Sequence, residues 1–301
     1  VSALALVLLW AAPAGAATLA AQTQDALSLG QAILFGIVEG LTEFLPISST
    51  GHLLVLARVL DVGQHGASKD AIKSYEIAIQ AGAILAVLGL YRHRFVTMVE
   101  GVTGRSTDGR RVLIAVAIAF VPAALVGVIL ESKIKDVLFG VGPVIGAWFV
   151  GGILILVLTR AGVLSPRGGR VLEMLAPRDA LVIGLAQVVS LWPGTSRSLV
   201  TIVAALLLGY SMAAAVEFSF LLGFVTLGAA TAYQVLKDGQ LMIDAFGWFT
   251  PLVGLVAAFL AAAISIKWMV GYLQRHDLSV FGWYRIGIAV LATILVVTGT
   301  I

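Results

Sequence analysis

Long apolar stretches recur along the chain, at about 74–91, 112–130, 141–159, 212–236, 248–270 and 284–301. About 20 apolar residues in a helix match the ~30 Å hydrocarbon core of a bilayer. Each stretch predicts a transmembrane helix, because a lone segment in lipid must satisfy its own backbone. Composition agrees: 60% of the 301 residues are hydrophobic and 12% charged, against about 25% charged in a soluble domain. The mean hydropathy is +1.04. The fold class expected is an all-α integral membrane protein. The net charge of +3 then reflects basic loops rather than nucleic-acid binding. The chain has no cysteine, which excludes disulfides, a thiol nucleophile and a thiolate metal site.

Residues 1–24 stand apart. An apolar run from Ala3 to Trp10 is followed by Pro13 and small residues, as in a signal peptide, though without a basic start. Residues 1–24 are expected to be a signal-like or extra segment, and 25–301 a single membrane domain.

Two further segments, 27–60 and 180–209, are apolar but broken by polar clusters. The loops at 92–111, 160–179 and 271–283 are basic, the last with Lys267 and Arg285 at its edges. By the positive-inside rule they face the cytoplasm. The three spans between the broken segments then place those segments on opposite sides of the bilayer, each as a hairpin that enters and returns. The halves also share markers. Ala32–Gly36 has its counterpart in Ala180–Gly184, Pro46 in Pro193, and the Glu76 and Gly82 pair in Glu217 and Gly223. An inverted repeat, about 27–159 and 180–301, is expected, with a site where the repeats meet.

The chemistry lies in the broken segments. Glu39 and Glu43, four residues apart, share a helix face, and buried like charges need an opposing charge or a shared proton. A hard divalent cation, Mg²⁺ or Ca²⁺, would suit them. Water-facing carboxylates at a helix end are the alternative. Pro46 should stop the helix. The amides of Ser48, Ser49, Thr50 and Gly51 are then free to face an anion, with Gly51 allowing close approach of the backbone. His52 can exchange a proton near neutral pH, and any of the hydroxyls could be a nucleophile. Arg197, within Pro193-Gly194-Thr195-Ser196-Arg197-Ser198, carries a fork suited to phosphate; snorkelling to an interface is the alternative. Glu76 and Glu217 are intramembrane acids that either support these turns or anchor the hairpins, Glu217 through Arg197. Gln80 and Gln187 are amides expected to satisfy loop backbone.

The run Glu-Gly-Leu-Thr-Glu-Phe-Leu-Pro-Ile-Ser-Ser-Thr-Gly-His at 39–52, with Pro-Gly-Thr-Ser-Arg-Ser at 193–198, resembles the bacterial undecaprenyl-pyrophosphate phosphatase, or bacitracin-resistance protein, family. The resemblance runs over about 27–301. It implies six spans, two re-entrant hairpins and hydrolysis of undecaprenyl pyrophosphate to the monophosphate. It also implies a bacterial plasma-membrane location, a site open to the outer side and dependence on a divalent cation. By position, Glu39 and Glu43 match the family's acidic pair and metal ligands. Ser49 matches the proposed nucleophile and His52 the acid/base or, in an older view, the nucleophile. Arg197 matches the phosphate-binding arginine, and Ser48, Thr50 and Ser196 supporting hydroxyls. Leu199 departs from the glycine common there.

The partners expected are the polyprenyl pyrophosphate lipid and the bilayer; a homodimer is left open, and nucleic acid is not expected. An inverted-repeat lipid-phosphate transporter or flippase is the rival class. Phosphate release from solubilised protein separates the two. A phosphatase of the phosphatidic-acid type is disfavoured, because the next histidine after Arg197 is His276.

Overall fold

The computed structural model describes residues 27–63, 66–164 and 168–301. The expectation for residues 1–24 lies outside them. Helix α1 (Leu29–Thr42) begins in a capping box: Ser28 Oγ accepts from Gln31 N at 3.2 Å, and Gln31 Oε1 accepts from Ser28 N at 2.9 Å. Such reciprocal capping satisfies amides that a helix start leaves open. The helix stops ahead of Pro46, and after a tight turn α2 runs Ser49–Val59. The second broken segment repeats the plan. Helix α7 (Pro177–Gln187) leads through a 3₁₀ turn (Val188–Leu191) to the Pro193 turn and then α8 (Arg197–Leu207).

The longer helices are α3 (Gly66–Leu90), α5 (Thr107–Leu138), α6 (Val141–Arg160), α9 (Met212–Phe246), α10 (Phe249–Leu273) and α11 (Ser279–Val297). Each contains a segment long and apolar enough to cross a membrane, six in all among the described residues. The chain is a multi-pass all-α membrane protein. A shorter helix, α4 (Arg92–Val102), lies within the basic loop after α3. The stretches between apolar windows at 131–140 and 237–247 are largely helical, because α5 and α9 run on beyond those windows. Charge ends an apolar window, whereas it does not end a helix: Lys and Glu are good helix formers.

Packing crosses between the halves. Helix α1 lies along α10 and α7 along α5, while α3 packs on α9 and α6 on α11. Each broken segment thus rests on the middle span of the opposite half. Small residues allow the approach. Gly36 and Gly40 face the backbone carbonyls of Gly254 and Ala258, and Ser265 Oγ donates to Gly40 O at 3.0 Å. This small-xxx-small crossing is the standard close contact of membrane helices. Tyr75 Oη, from α3, donates to Ala32 O at 2.8 Å and abuts Gly254. Gly184 of α7 meets the Ala119 backbone in the same manner.

Arg285 departs from expectation. It is placed inside α11 and is fully buried, not at the edge of a loop. The helix starts several residues earlier than the apolar stretch, and backbone carbonyls take up the guanidinium.

A Cβ at Gly40 would overlap the Ala258 carbonyl, whereas one at Gly89 would meet nothing within 4 Å. Gly40→Val is expected to cost about 1–3 kcal/mol through overpacking and to lower the Tm of detergent-purified protein, with Gly89→Ala nearly silent. Equal Tm for the two variants would remove the α1–α10 seam from the supports of the fold.

Candidate active site

The turn between α1 and α2 is held by its carbonyls. Leu45 O accepts from Ser198 Oγ at 2.9 Å, and Pro46 O from Arg285 Nη1 at 3.3 Å. Ile47 O accepts from Trp148 Nε1 at 2.9 Å, and Ser48 O from His52 Nδ1 at 2.6 Å. With these oxygens taken up by side chains, the amides that open α2 keep their hydrogens for something else. Ser48 offers them no side-chain cap, and the first amides of a helix have no partner within it. Ser48 itself is buried and sits at φ 72°, ψ 101°, a backbone region that a non-glycine residue occupies only under constraint. Ser196, opening α8, has nearly the same conformation at φ 73°, ψ 112°.

Charged groups from the two turns meet. Ser49 Oγ donates to Glu43 Oε2 in a short hydrogen bond. The other Glu43 oxygen pairs with Arg197 Nη2 at 3.2 Å, and Arg197 Nη1 donates to Ser219 O at 2.9 Å. Both partners are almost wholly buried, with side chains 6% and 8% exposed, so snorkelling is ruled out for Arg197. The guanidinium also stands 5.2 Å from the centre of the Phe44 ring. Of the six buried side-chain atoms without a hydrogen-bond partner among the described residues, two belong to these charged groups: Arg197 Nε, a donor, and Glu39 Oε1, an acceptor. Buried polar atoms are seldom left so; an anion and a cation brought in by a ligand would satisfy both. Glu76 and Gln80 stand beside Glu39, and Gln80 Oε1 accepts from Thr231 Oγ1 at 3.3 Å.

Both ring nitrogens of His52 are taken by partners other than Ser49. Because the Ser48 carbonyl only accepts, Nδ1 must carry the hydrogen of that bond. In the neutral ring Nε2 is then the acceptor for the Tyr284 hydroxyl, 2.8 Å away. Tyr284 stacks on the imidazole with centroids 5.7 Å apart, and Trp148 meets it edge-on at 5.0 Å. The carboxylate hydrogen-bonded to Ser49 is that of Glu43.

Several expected site residues are placed differently. Gly51 serves the indole of Trp148, which lies where a Cβ would be; its openness is used by a side chain. The Ser196 hydroxyl is taken up by Leu199 N, Ser198 Oγ and Leu45 O, so it ties the turns together. Thr50 is exposed, and Thr195 is half-buried with its amide donating to Trp192 O at 3.1 Å. Glu217 does not pair with Arg197. It accepts from Arg94 Nε at 2.7 Å, and Arg94 also holds Glu173 at 2.7 Å, an ion-pair cluster joining α4, α9 and the segment before α7. Gln187 Nε2 reaches the Thr226 hydroxyl at 3.4 Å rather than loop backbone. Sequence reasoning missed Trp148, Ser219, Tyr284 and Arg285. For Arg285 a signal existed, a charge next to a long apolar run.

Among the described residues, no group of His, Cys, Asp and Glu is arranged to hold a metal by itself. Glu39 can still offer its unpartnered oxygen, as Mg²⁺ commonly takes one or two carboxylates and draws its other ligands from water and phosphate.

Comparison with known proteins agrees with this geometry. Residues 32–291 match the family model described as bacitracin resistance protein BacA. The chain is 46% identical over 262 residues to a protein of Sorangium cellulosum named undecaprenyl-diphosphatase, covering 86% of this chain and 84% of that one. A protein of Methylibium petroleiphilum with the same name is 43% identical over 276 residues, covering 87% and 93%. An undecaprenyl-diphosphatase 1 of Burkholderia cenocepacia is 41% identical over 278 residues, covering 91% and 98%. The match takes in Glu39, Glu43, Ser49, His52 and Arg197, and the chain belongs to the bacitracin resistance protein BacA family.

Proposed function

We infer that this chain is an undecaprenyl-diphosphatase. It hydrolyses undecaprenyl pyrophosphate to the monophosphate and inorganic phosphate, recycling the lipid carrier of cell-wall synthesis and conferring resistance to bacitracin. The observation that carries this is the buried chain Ser49–Glu43–Arg197, which joins a hydroxyl, a base and a phosphate-binding cation from opposite halves.

The pyrophosphate is a dense anion, and phosphoryl transfer is accelerated chiefly by positioning and charge stabilisation. Arg197 Nε and the amides opening α2 receive the terminal phosphate. Ser49 Oγ attacks its phosphorus while its proton passes to Glu43 Oε2. The bond from that phosphorus to the bridging oxygen breaks, and undecaprenyl monophosphate departs with both electrons. Water then attacks the phosphoserine and gives up a proton to His52 Nε2, once the Tyr284 hydroxyl has moved aside. Inorganic phosphate leaves, Ser49 recovers its proton from Glu43, and His52 releases the water proton to solvent. A divalent cation bound through Glu39, with Glu43 nearby, would neutralise phosphate charge, and the orphaned Glu39 oxygen supports its presence.

In this reading 27–60 and 180–209 are re-entrant hairpins of an inverted repeat spanning about 27–159 and 180–301. The crossed packing and the matched Ser48 and Ser196 backbones support it. With the basic loops in the cytoplasm of a bacterium, the first hairpin enters the plasma membrane from outside and the site opens to that side.

Detergent-purified protein should release phosphate from polyprenyl pyrophosphate, and EDTA should suppress the release. Glu43→Gln is expected to lower kcat by about 10²–10⁴-fold, the range for a general base. Arg197→Ala should cost about 10²–10³-fold, as for a charge-stabilising donor. No release by the parent protein would return the chain to the transporter class.

The role given to His52 has its own test. In His52→Ala a rapid-quench experiment should give a burst of monophosphate equal to the enzyme present, then slow turnover, with phosphate retained on Ser49. A first turnover as slow as the steady state would move His52 to the attack step. Full activity in Ser49→Ala would replace the covalent route with direct attack by water.

A further inference from the structure

Arg285 takes part in none of these steps, yet it is fully buried in the last span. Its Nη2 donates to Gly194 O and to Ala147 O, both at 2.8 Å, and its Nη1 to Pro46 O at 3.3 Å. Pro46 belongs to the turn that carries Glu43 and Ser49. Gly194 belongs to the turn that carries Arg197. Ala147 lies on α6, next to Trp148, which holds Ile47 O. One guanidinium therefore touches both turns and the span that braces them. Each of these bonds ends on a backbone carbonyl and none on a carboxylate. The space is shaped for it: a Cβ on Gly151 would run into the guanidinium, and one on Gly152 would crowd the Arg285 stem.

A buried cation in a bilayer costs several kcal/mol or more, and the carbonyls it satisfies offset that cost. Packing alone does not account for an arginine here. We infer that Arg285 is a positioning residue of the phosphatase site, holding the two catalytic turns in register. This rests on the reaction proposed above.

The direct charge link between the turns is Glu43–Arg197, and the substrate must loosen it, since Arg197 turns to phosphate and Glu43 takes the Ser49 proton. The Arg285 bonds use carbonyls that the reaction does not touch. They hold the Ser49-to-Arg197 spacing while the charge link is given up.

The test uses the full chain in detergent, with Arg285→Met and Arg285→Lys read by Tm, KM and kcat. Arg285→Met leaves three buried carbonyls without this donor and is expected to lower the Tm; assayed well below that Tm it should keep KM to within a few fold while kcat falls about 100-fold, the effect of an ångström-scale misplacement. Arg285→Lys should regain part of the loss. Parental kcat in Arg285→Met, or a loss of kcat that disappears well below its Tm, would make Arg285 a structural brace and overturn the proposal. A second readout is independent of activity. The chain has no cysteine, so nitroxides at Thr50→Cys and Thr195→Cys report the spacing of the turns by spin–spin broadening. The broadening should be uniform in the otherwise parental protein and spread out with Arg285→Met. An unchanged spectrum overturns the clamp even if kcat falls. If the parent releases no phosphate, the proposed reaction fails, and the spectrum still decides on the clamp.

Discussion

The ion pair between Glu43 and Arg197 is the constraint around which the rest is arranged. Either charge alone, buried at this depth in an apolar fold, would cost several kcal/mol or more. Together, with Ser49 on one end and Ser219 O on the other, they neutralise one another where the two turns meet. The partners come from turns more than 150 positions apart in the chain. The two halves must therefore meet before either charge is tolerable, which couples assembly of the site to assembly of the fold.

That coupling explains the crossed packing. Helix α1 cannot present Glu43 to Arg197 unless it lies deep against α10, and Gly36, Gly40, Gly254 and Ala258 remove the side chains that would hold the helices apart. The turns obey a second constraint. A non-helical backbone in a membrane protein is tolerated only where its polar groups are satisfied by protein or line a cavity. From Leu45 to Ser48 the carbonyls are satisfied by Ser198, Arg285, Trp148 and His52. The first amides of α2 have no partner within the helix, and donors are what a pyrophosphate needs. Strain at Ser48 and Ser196 follows from bending the chain back within a few residues after each helix.

Much of this was legible in the sequence, because the bilayer makes polarity informative. Glu39, Glu43 and Arg197 stand out where nearly everything else is apolar, and the spans follow from length and hydropathy alone. Contacts between distant positions were not legible. Glu217 holds the place in the second half that Glu76 holds in the first, yet Glu76 stands beside Glu39 while Glu217 pairs with Arg94. Repeated sequence gives repeated backbone, and partners are set by what the opposite half presents. Gly51 was legible as a close approach, though not that an indole makes it. Arg285 was misplaced because charge was taken to mark the end of a span, and carbonyls of a broken backbone can solvate a cation as well as water does. These are identifiable only once both turns are folded.

The reaction proposed here adds a reason for Glu43 to stand between Ser49 and Arg197. Before attack, its negative charge holds the arginine. As the Ser49 proton arrives, Glu43 becomes neutral and its hold on Arg197 weakens. At the same moment negative charge grows on the departing bridging oxygen. In a low-dielectric site, charge interactions are strong and short-range geometry decides where they act. The guanidinium is thus handed from carboxylate to phosphate by the proton transfer itself, with the total charge of the site unchanged. A base located elsewhere, such as His52, would deprotonate the serine without releasing the arginine. The site therefore gains from having its base and its cation bound to each other, and that is possible only where two halves of the chain meet.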